Sequence, residues 1–225
     1  MTLLAHAIAA APPATLSPEG LRGRPLAWSE AGDLGLWSTE WAPDMKIERP
    51  DALEHHRLVE RICVAQPCLP VRFGTAFATS DDARASLDKR AAALHAALAR
   101  VSGKSEVALT LLWRESAAPQ PIVSAAGPGR RYMEARRAEF AAREDRRARA
   151  ESIVERVVTE LAIDRQFVWH ETCTSDSVAV SLAVLVPTER AGERKAELEQ
   201  LAARFPDVIP VLNGPWPPYT FARTE

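Results

Sequence analysis

The stretch LPVRFGTAF (residues 69–77), followed at once by ATSDDARASLDKRAAALHAALARV (78–101), carries the clearest change of period in the chain. In the first segment Leu69, Val71, Phe73, Thr75 and Phe77 alternate with Arg72, Gly74 and Ala76, the two-residue repeat of a strand with one covered face. Arg72 then points away from the apolar face, and a charge-assisted bond to a carboxylate or to main-chain carbonyls is expected to anchor it. In the second segment Ala83, Leu87, Ala91, Leu94, Leu98 and Val101 recur at helical spacing. Ser80 is the expected N-cap, Asp81 and Asp82 suit the first turn, and Gly103 stops the helix. Residues 106–113 alternate again, with Val107, Leu109, Leu111 and Trp113 on one face.

Working outward, residues 3–10 read as a short apolar strand ending at Pro12-Pro13, and strands are expected near 25–29 and 34–41, which hold Trp28, Trp37 and Trp41. Residues 51–64 read as a helix, with Asp51 and Glu54 as a capping pair and Leu58, Ile62 and Ala65 on one stripe. The first half is therefore ββ(β)αβαβ, a sheet-and-helix pattern of roughly ferredoxin-like type. Residues 115–130, ESAAPQPIVSAAGPGR, have linker composition and place a domain boundary, giving domains 1–125 and 126–225. Beyond it come a long helix (131–163), strands at 166–171 and 178–186, a short helix (189–204) and a strand at 207–212. The fold class is α+β in two domains, the second a long helix with a small antiparallel sheet and a Pro/aromatic tail.

Composition sets bounds on function. Hydrophobic residues at 47% and charged residues at 26% are ordinary globular values, and a net charge of −2 gives no global attraction to nucleic acid or acidic membrane. The N-terminal MTLLAHAIAAAPPA has no basic leader and is interrupted by His6, so it reads as a strand and not as a signal peptide. No apolar run reaches the ~20 residues of a membrane helix. Cys63, Cys68 and Cys173 leave an odd thiol with no metal or redox spacing, which points to a cytoplasmic protein. The candidates His55, His56, Cys63 and Cys68 read as structural or surface residues, because adjacent histidines face different sides of a helix. The sequences His170-Glu171-x-Cys173 and Gly127-x-Gly129-Arg130 are equally weak, and no nucleophile elbow, dinucleotide loop or P-loop is present. The expectation is a non-enzymatic chain with no cofactor, no metal, no small-molecule substrate and no lipid-membrane or nucleic-acid partner.

Two segments stand apart from these ordinary ones. Residues 130–149 hold eight Arg against four acids, a local charge of +4. They read as a solvated helix face threaded with pairs such as Glu139–Arg143 and Asp145–Arg149, with a regulatory or nucleic-acid-binding module as the alternative reading. The C-terminal NGPWPPYTFA (213–222) reads as a proline-stiffened ribbon bearing Trp216, Tyr219 and Phe221, suited to recognition or to being pinned on its own core. Pinning is favoured, since three aromatics in water would form an apolar patch.

With LPVRFGTAF, GKSEVALTLLW, GRRYMEARR and GPWPPYTFA in that order, the chain resembles the gas vesicle accessory family GvpL/GvpF over nearly its full length. The resemblance implies two α+β domains, the first a ferredoxin-like variant, and no catalytic residues. It also implies a minor structural or assembly protein that contacts the small hydrophobic shell protein and possible further accessory proteins of the vesicle. Arg72, Phe73, Trp216, Pro217, Pro218, Tyr219 and Phe221 are the protein-binding candidates, and Gly74 belongs to the same motif.

Overall fold

An apolar run of small residues, Thr2–Ala9, forms strand β1, and Leu4 through Ala9 are buried without interruption. Continuous burial is what a central strand covered on both faces shows. Strand β3 (Leu34–Trp41) pairs antiparallel with β1, and β2 (Leu26–Ala31) pairs with β3, with Trp28 opposite Trp37. The β2–β3 hairpin turns through Gly32-Asp33, where Gly32 takes a positive φ of 60°. On the other side of β1 lie β4 (Leu69–Pro70) and β5 (Ala76–Phe77), so the sheet runs β2-β3-β1-β4, with β5 also on β1. The computed structural model describes residues 2–12, 19–42, 46–114 and 128–223, and the expected linker residues 115–127 lie outside them.

Helix α1 (Arg49–Ala65) starts earlier than its sequence suggests. Pro50 opens it, and Asp51 closes the turn by accepting from the Glu48 N–H at 2.6 Å. Glu54 is not the capping partner; its carboxylate accepts from the Arg22 N–H at 2.6 Å. Asp51 is buried and takes two bonds from the Arg22 guanidinium, both 2.7 Å, which hold its carboxyl below the usual carboxylate range. Leu58 and Ile62 of α1 pack with Ala7, Ala9, Leu26, Trp37 and Cys68.

The expected single helix over 80–101 is two, α2 (Ser80–Lys89) and α3 (Ala91–Val101). Arg90 leaves helical geometry at φ −117°, ψ 12°, and its N–H bonds only three residues back to Leu87. The cap is Thr79, one residue before Ser80, accepting from the Asp82 N–H at 3.1 Å. Cys63 and Cys68, unpaired on spacing alone, are joined in a disulfide with Cα atoms 5.5 Å apart. Gln66 in an extended conformation and Pro67 turn the chain back between them.

The second sheet runs β7-β8-β6-β9, with β6 Lys104–Trp113, β7 Val168–Thr172, β8 Val178–Pro187 and β9 Val208–Trp216. Helix α4 (Pro128–Glu160) joins β6 to β7, and α5 (Ala191–Ala202) joins β8 to β9. This βαββαβ succession is the ferredoxin-like order, and it includes β6, which the sequence pattern grouped with the first half. Its core combines Val107, Leu109 and Leu111 with Ala150, Val154 and Val157 of α4 and with Leu198, Leu201 and Phe205. By contact density the chain forms two compact units. One comprises Met1–Glu106, Leu185–Glu189 and Pro215–Glu225; the other comprises Val107–Val184 and Arg190–Gly214.

The packing of Trp28 over Gly35 supplies a stability test. A Cβ on Gly35 would stand 2.1 Å from Trp28 Cζ2, so Gly35→Ala must displace the indole from Trp37. We expect Gly35→Ala to cost about 1–3 kcal/mol by urea denaturation. In α5, Gly192 has open space around it, and Gly192→Ala is expected to be neutral or to add up to about 1 kcal/mol.

Candidate partner-binding groove

The segment 69–77 follows β1 without being a continuous strand. Leu69 pairs with Ile8, the Val71 N–H reaches His6 O at 2.9 Å, the Ala5 N–H reaches Thr75 O at 2.9 Å, and Ala76 and Phe77 pair with Leu4 and Leu3. Between these contacts Arg72, Phe73 and Gly74 form a turn, closed by Thr75 N–H to Arg72 O at 3.1 Å and permitted by a φ of +86° at Gly74. The turn drives Phe73 inward against Leu4, Leu21 and Trp41, with its ring 5.2 Å from that of His55. Arg72 is exposed, and among the described residues its guanidinium meets no partner. The expected anchoring bond is absent because the main chain itself fastens the segment to β1.

The C-terminal tail reaches the same place from a distance in sequence. Strand β9 continues through Gly214 (φ +96°) to Trp216, and successive turns follow in place of a ribbon. The Tyr219 N–H bonds to Pro217 O at 2.8 Å and the Ala222 N–H to Pro218 O at 2.9 Å. Glu106 is buried, and its carboxylate accepts from both the N–H and the hydroxyl of Thr220 at 2.8 Å. Arg100 donates to Phe221 O at 2.5 Å. Pro217, Pro218 and Phe221 are buried, Tyr219 is half-buried, and Trp216 remains 36% exposed. The pinned reading thus holds for Phe221 and not for Trp216, whose ring meets His56 edge-on at 5.9 Å while Tyr219 stacks on His56 at 6.0 Å.

The two segments line one groove of about 950 Å³. Leu69, Val71, Arg72 and Phe73 line it together with Tyr219, Thr220 and Arg223 of the tail and with His55, His56 and Leu94. Its lining holds arginines and no carboxylate. Of the candidate residues, Arg72, Phe73 and Tyr219 are on the groove surface, while Pro217, Pro218 and Phe221 are buried in the tail. Among the described residues no cluster of three or more His, Cys, Asp or Glu could hold a metal, and no helix is long and apolar enough to cross a membrane.

The profile of the family described as Gas vesicle synthesis protein GvpL/GvpF matches residues 3–223. The chain belongs to the GvpL/GvpF family. It is 34% identical to Gas vesicle protein L2 of Halobacterium salinarum over 189 residues, which cover 68% of this chain and 63% of that protein, slightly under two thirds of the relative's length. The fold matches the crystal structure of GvpF from Anabaena sp. PCC7120 with a TM-score of 0.78 at 20% identity, covering 100% of this chain and 97% of that one. GvpF from Microcystis aeruginosa gives a TM-score of 0.76 at 18% identity, covering 99% of each chain.

Beneath the groove of this GvpL/GvpF chain lies a histidine pair that composition did not single out. His55 falls on the Leu58/Ile62 stripe of α1, and His6 sits where β1 slips register between Ala5 and Ala7. Their rings are 5.1 Å apart; His55 Nε2–H donates to Ala5 O at 3.3 Å, and His6 Nε2 meets Thr39 Oγ1 at 2.8 Å. Burial, then the His55 ring, lowers the His6 pKa from the ordinary 6.5 to about 3. His55 falls to about 4, burial again dominating over the bond to Ala5, with His56 a further lowering influence.

Both rings are therefore neutral in the folded chain at pH 5, whereas the unfolded chain protonates them below pH 6.5. Stability is lost as pH falls from about 6.5 toward 4 and then 3, by roughly 2 kcal/mol per imidazole at pH 5. Glu106 works the other way: burial raises its carboxyl, so the folded chain holds that proton more readily and offsets part of the loss. We expect urea unfolding to show a net fall on the order of 2–4 kcal/mol between pH 7 and pH 5. Equal stability at the two pH values would remove the buried neutral pair from the account.

Proposed function

We propose that this GvpL/GvpF chain is a non-enzymatic accessory and minor structural protein of the gas vesicle, cytoplasmic and vesicle-associated, which binds the hydrophobic shell subunit during assembly. The observation that supports this reading is the convergence of residues 69–77 and the C-terminal tail on one groove beside a sheet edge. A shell subunit awaiting polymerisation presents unpaired strand edges and apolar side chains. The β4/β5 edge offers main-chain pairing to such a strand, and Phe73, Tyr219 and Trp216 offer apolar cover. Arg72, exposed at the turn, is available for a carboxylate or carbonyl on the incoming chain. Other accessory proteins of the vesicle are further partners in the same reading. The division into domains 1–125 and 126–225 stands beside it as a proposal about organisation, with the tail packing back on the first unit.

Co-purification of the shell subunit with the full chain tests the proposal. Arg72→Ala alters an exposed side chain and is expected to keep the wild-type melting temperature. Trp216→Ala also removes the edge-on contact with His56 and is expected to stay folded with a small fall in melting temperature. Both should lose at least about tenfold in capture, the scale of a hot-spot truncation. A chain truncated after Asn213 also loses Phe221 and the Thr220–Glu106 bonds, and it is expected to melt earlier. Absence of capture by the wild type at every salt concentration would overturn the function. Undiminished capture by both folded variants would move the interface away from the groove.

A further inference from the structure

Helix α4 changes character along its length. From Ala150 onward it is tied to its sheet through Ile153, Val154, Val157 and Val158, whereas residues 132–149 are exposed on every side except at the half-buried Arg146. This exposed half carries Tyr132, Met133 and Phe140, which are 63%, 52% and 67% accessible. At about 100° per residue these three fall within one arc of roughly 100°, and Arg136, Arg143 and Arg147 fall inside the same arc. Glu134 and Asp145 lie on the opposite side, and Glu139 and Glu144 flank the arc about 20° beyond its two edges. The arc itself is thus apolar and basic, and the intrahelical pairs account for Arg143 and Arg147 but not for Arg136 or the three apolar side chains. Arg130–Glu134 (3.1 Å) lies wholly on the opposite side, Glu139–Arg143 (2.8 Å) and Arg147–Glu151 (3.9 Å) each hold an arginine of the arc to an acid at its margin, and Arg136 meets no partner among the described residues.

We propose that this face docks an acidic polypeptide surface with exposed apolar groups, independently of the groove described above. Charge complementarity selects that occupant. A second copy of the chain would set like-charged arginines against each other, which is destabilising across a helix pair. Acyl chains are disfavoured because Arg136 and Arg143 interrupt the apolar arc and would be carried into the bilayer with it. Nucleic acid would satisfy the arginines and leave Met133 and Phe140 without matching groups. An acidic protein surface satisfies both, pairing carboxylates with the guanidinium groups and covering the three apolar side chains.

Binding to the full chain is measured by fluorescence anisotropy with a labelled amphipathic peptide of Glu and Leu, its Lys/Leu counterpart and a short DNA duplex, and by sedimentation with vesicles of equal phosphatidylcholine and phosphatidylglycerol. The Glu/Leu peptide is expected to bind saturably. Phe140→Ala should weaken it by about tenfold, and the triple variant Arg136→Gln/Arg143→Gln/Arg147→Gln, which sets no like charges at i,i+4, should abolish it while the helix is retained by circular dichroism. Asp145→Asn raises the net charge on the opposite side and should change affinity less than about twofold, which separates a defined face from bulk attraction. The proposal is overturned if the Glu/Leu peptide fails to bind, if the Lys/Leu peptide, the duplex or the vesicles bind as well as it does, or if Asp145→Asn shifts affinity as much as Phe140→Ala.

Discussion

Strand β1 pairs along both of its edges, and the first unit is arranged around that fact. On one edge it pairs with β3 from Thr2 to Ala9, and on the other it takes the stubs β4 and β5 and the two bonds at Val71 and Thr75. A strand saturated in this way has no register to slip into, because a one-residue shift would exchange every covered side chain. The irregularity between Ala5 and Ala7 is therefore fixed in place. It sets the His6 ring beside Thr39 and His55, while the His6 carbonyl accepts from Val71. The groove wall and the buried imidazoles beneath it thus hang on the same strand.

The tail is fastened by a different balance. Burying the Glu106 carboxylate costs several kcal/mol, and two hydrogen bonds to a charged acceptor return about 1.5–3 kcal/mol each. Burial is the larger of the two, since it leaves the Glu106 carboxyl raised despite both bonds, so the Thr220 bonds specify where the tail sits more than they strengthen its attachment. Net attachment comes from apolar burial, in which Phe221 alone contributes roughly 1.5–3 kcal/mol together with Pro217 and Pro218. The division explains why Trp216, outside that buried set, stays accessible beside His56.

Long periodic elements were legible in the sequence: β1, β3, α1, the packed half of α4 and β8 lie within a few residues of where their patterns place them. Segment 69–77 shows what periodicity does not carry. Its exposure alternates as expected, Val71, Phe73 and Thr75 being more covered than Arg72, Gly74 and Ala76, yet the main chain leaves the ladder at 72–74. Alternation reports which side chains are covered and is silent on which amides pair. The break at Arg90 is hidden for a similar reason, since Leu87 and Leu94 stay buried across it and no Gly or Pro marks it. The contacts that decide the groove, Glu106 with Thr220 and Arg100 with Phe221, join residues more than a hundred positions apart, and no local pattern announces them.

The exposed half of α4 raises the question of what keeps an unpacked helix helical. An isolated helix of this length is marginal in water. Here the packed half from Ala150 onward supplies the nucleus, so propagation toward Tyr132 needs only modest support. Alanine content and the Glu139–Arg143 pair, in the favourable Glu-before-Arg order, provide some of it, while Arg130–Glu134 and Arg147–Glu151 run in the weaker order. None of these terms calls for Arg136 or Arg137, nor for Tyr132, Met133 and Phe140 in water. The chain carries −2 overall and residues 130–149 carry +4, so the remaining residues carry −2 − 4 = −6. At physiological salt the Debye length is about 8 Å, shorter than the roughly 30 Å spanned by the exposed helix, so its basic face is felt locally and is not cancelled by the acidic remainder. Side chains that neither hold the helix nor pack a core are the ones a structural role leaves unexplained, and four of them, Tyr132, Met133, Arg136 and Phe140, share the apolar, basic arc.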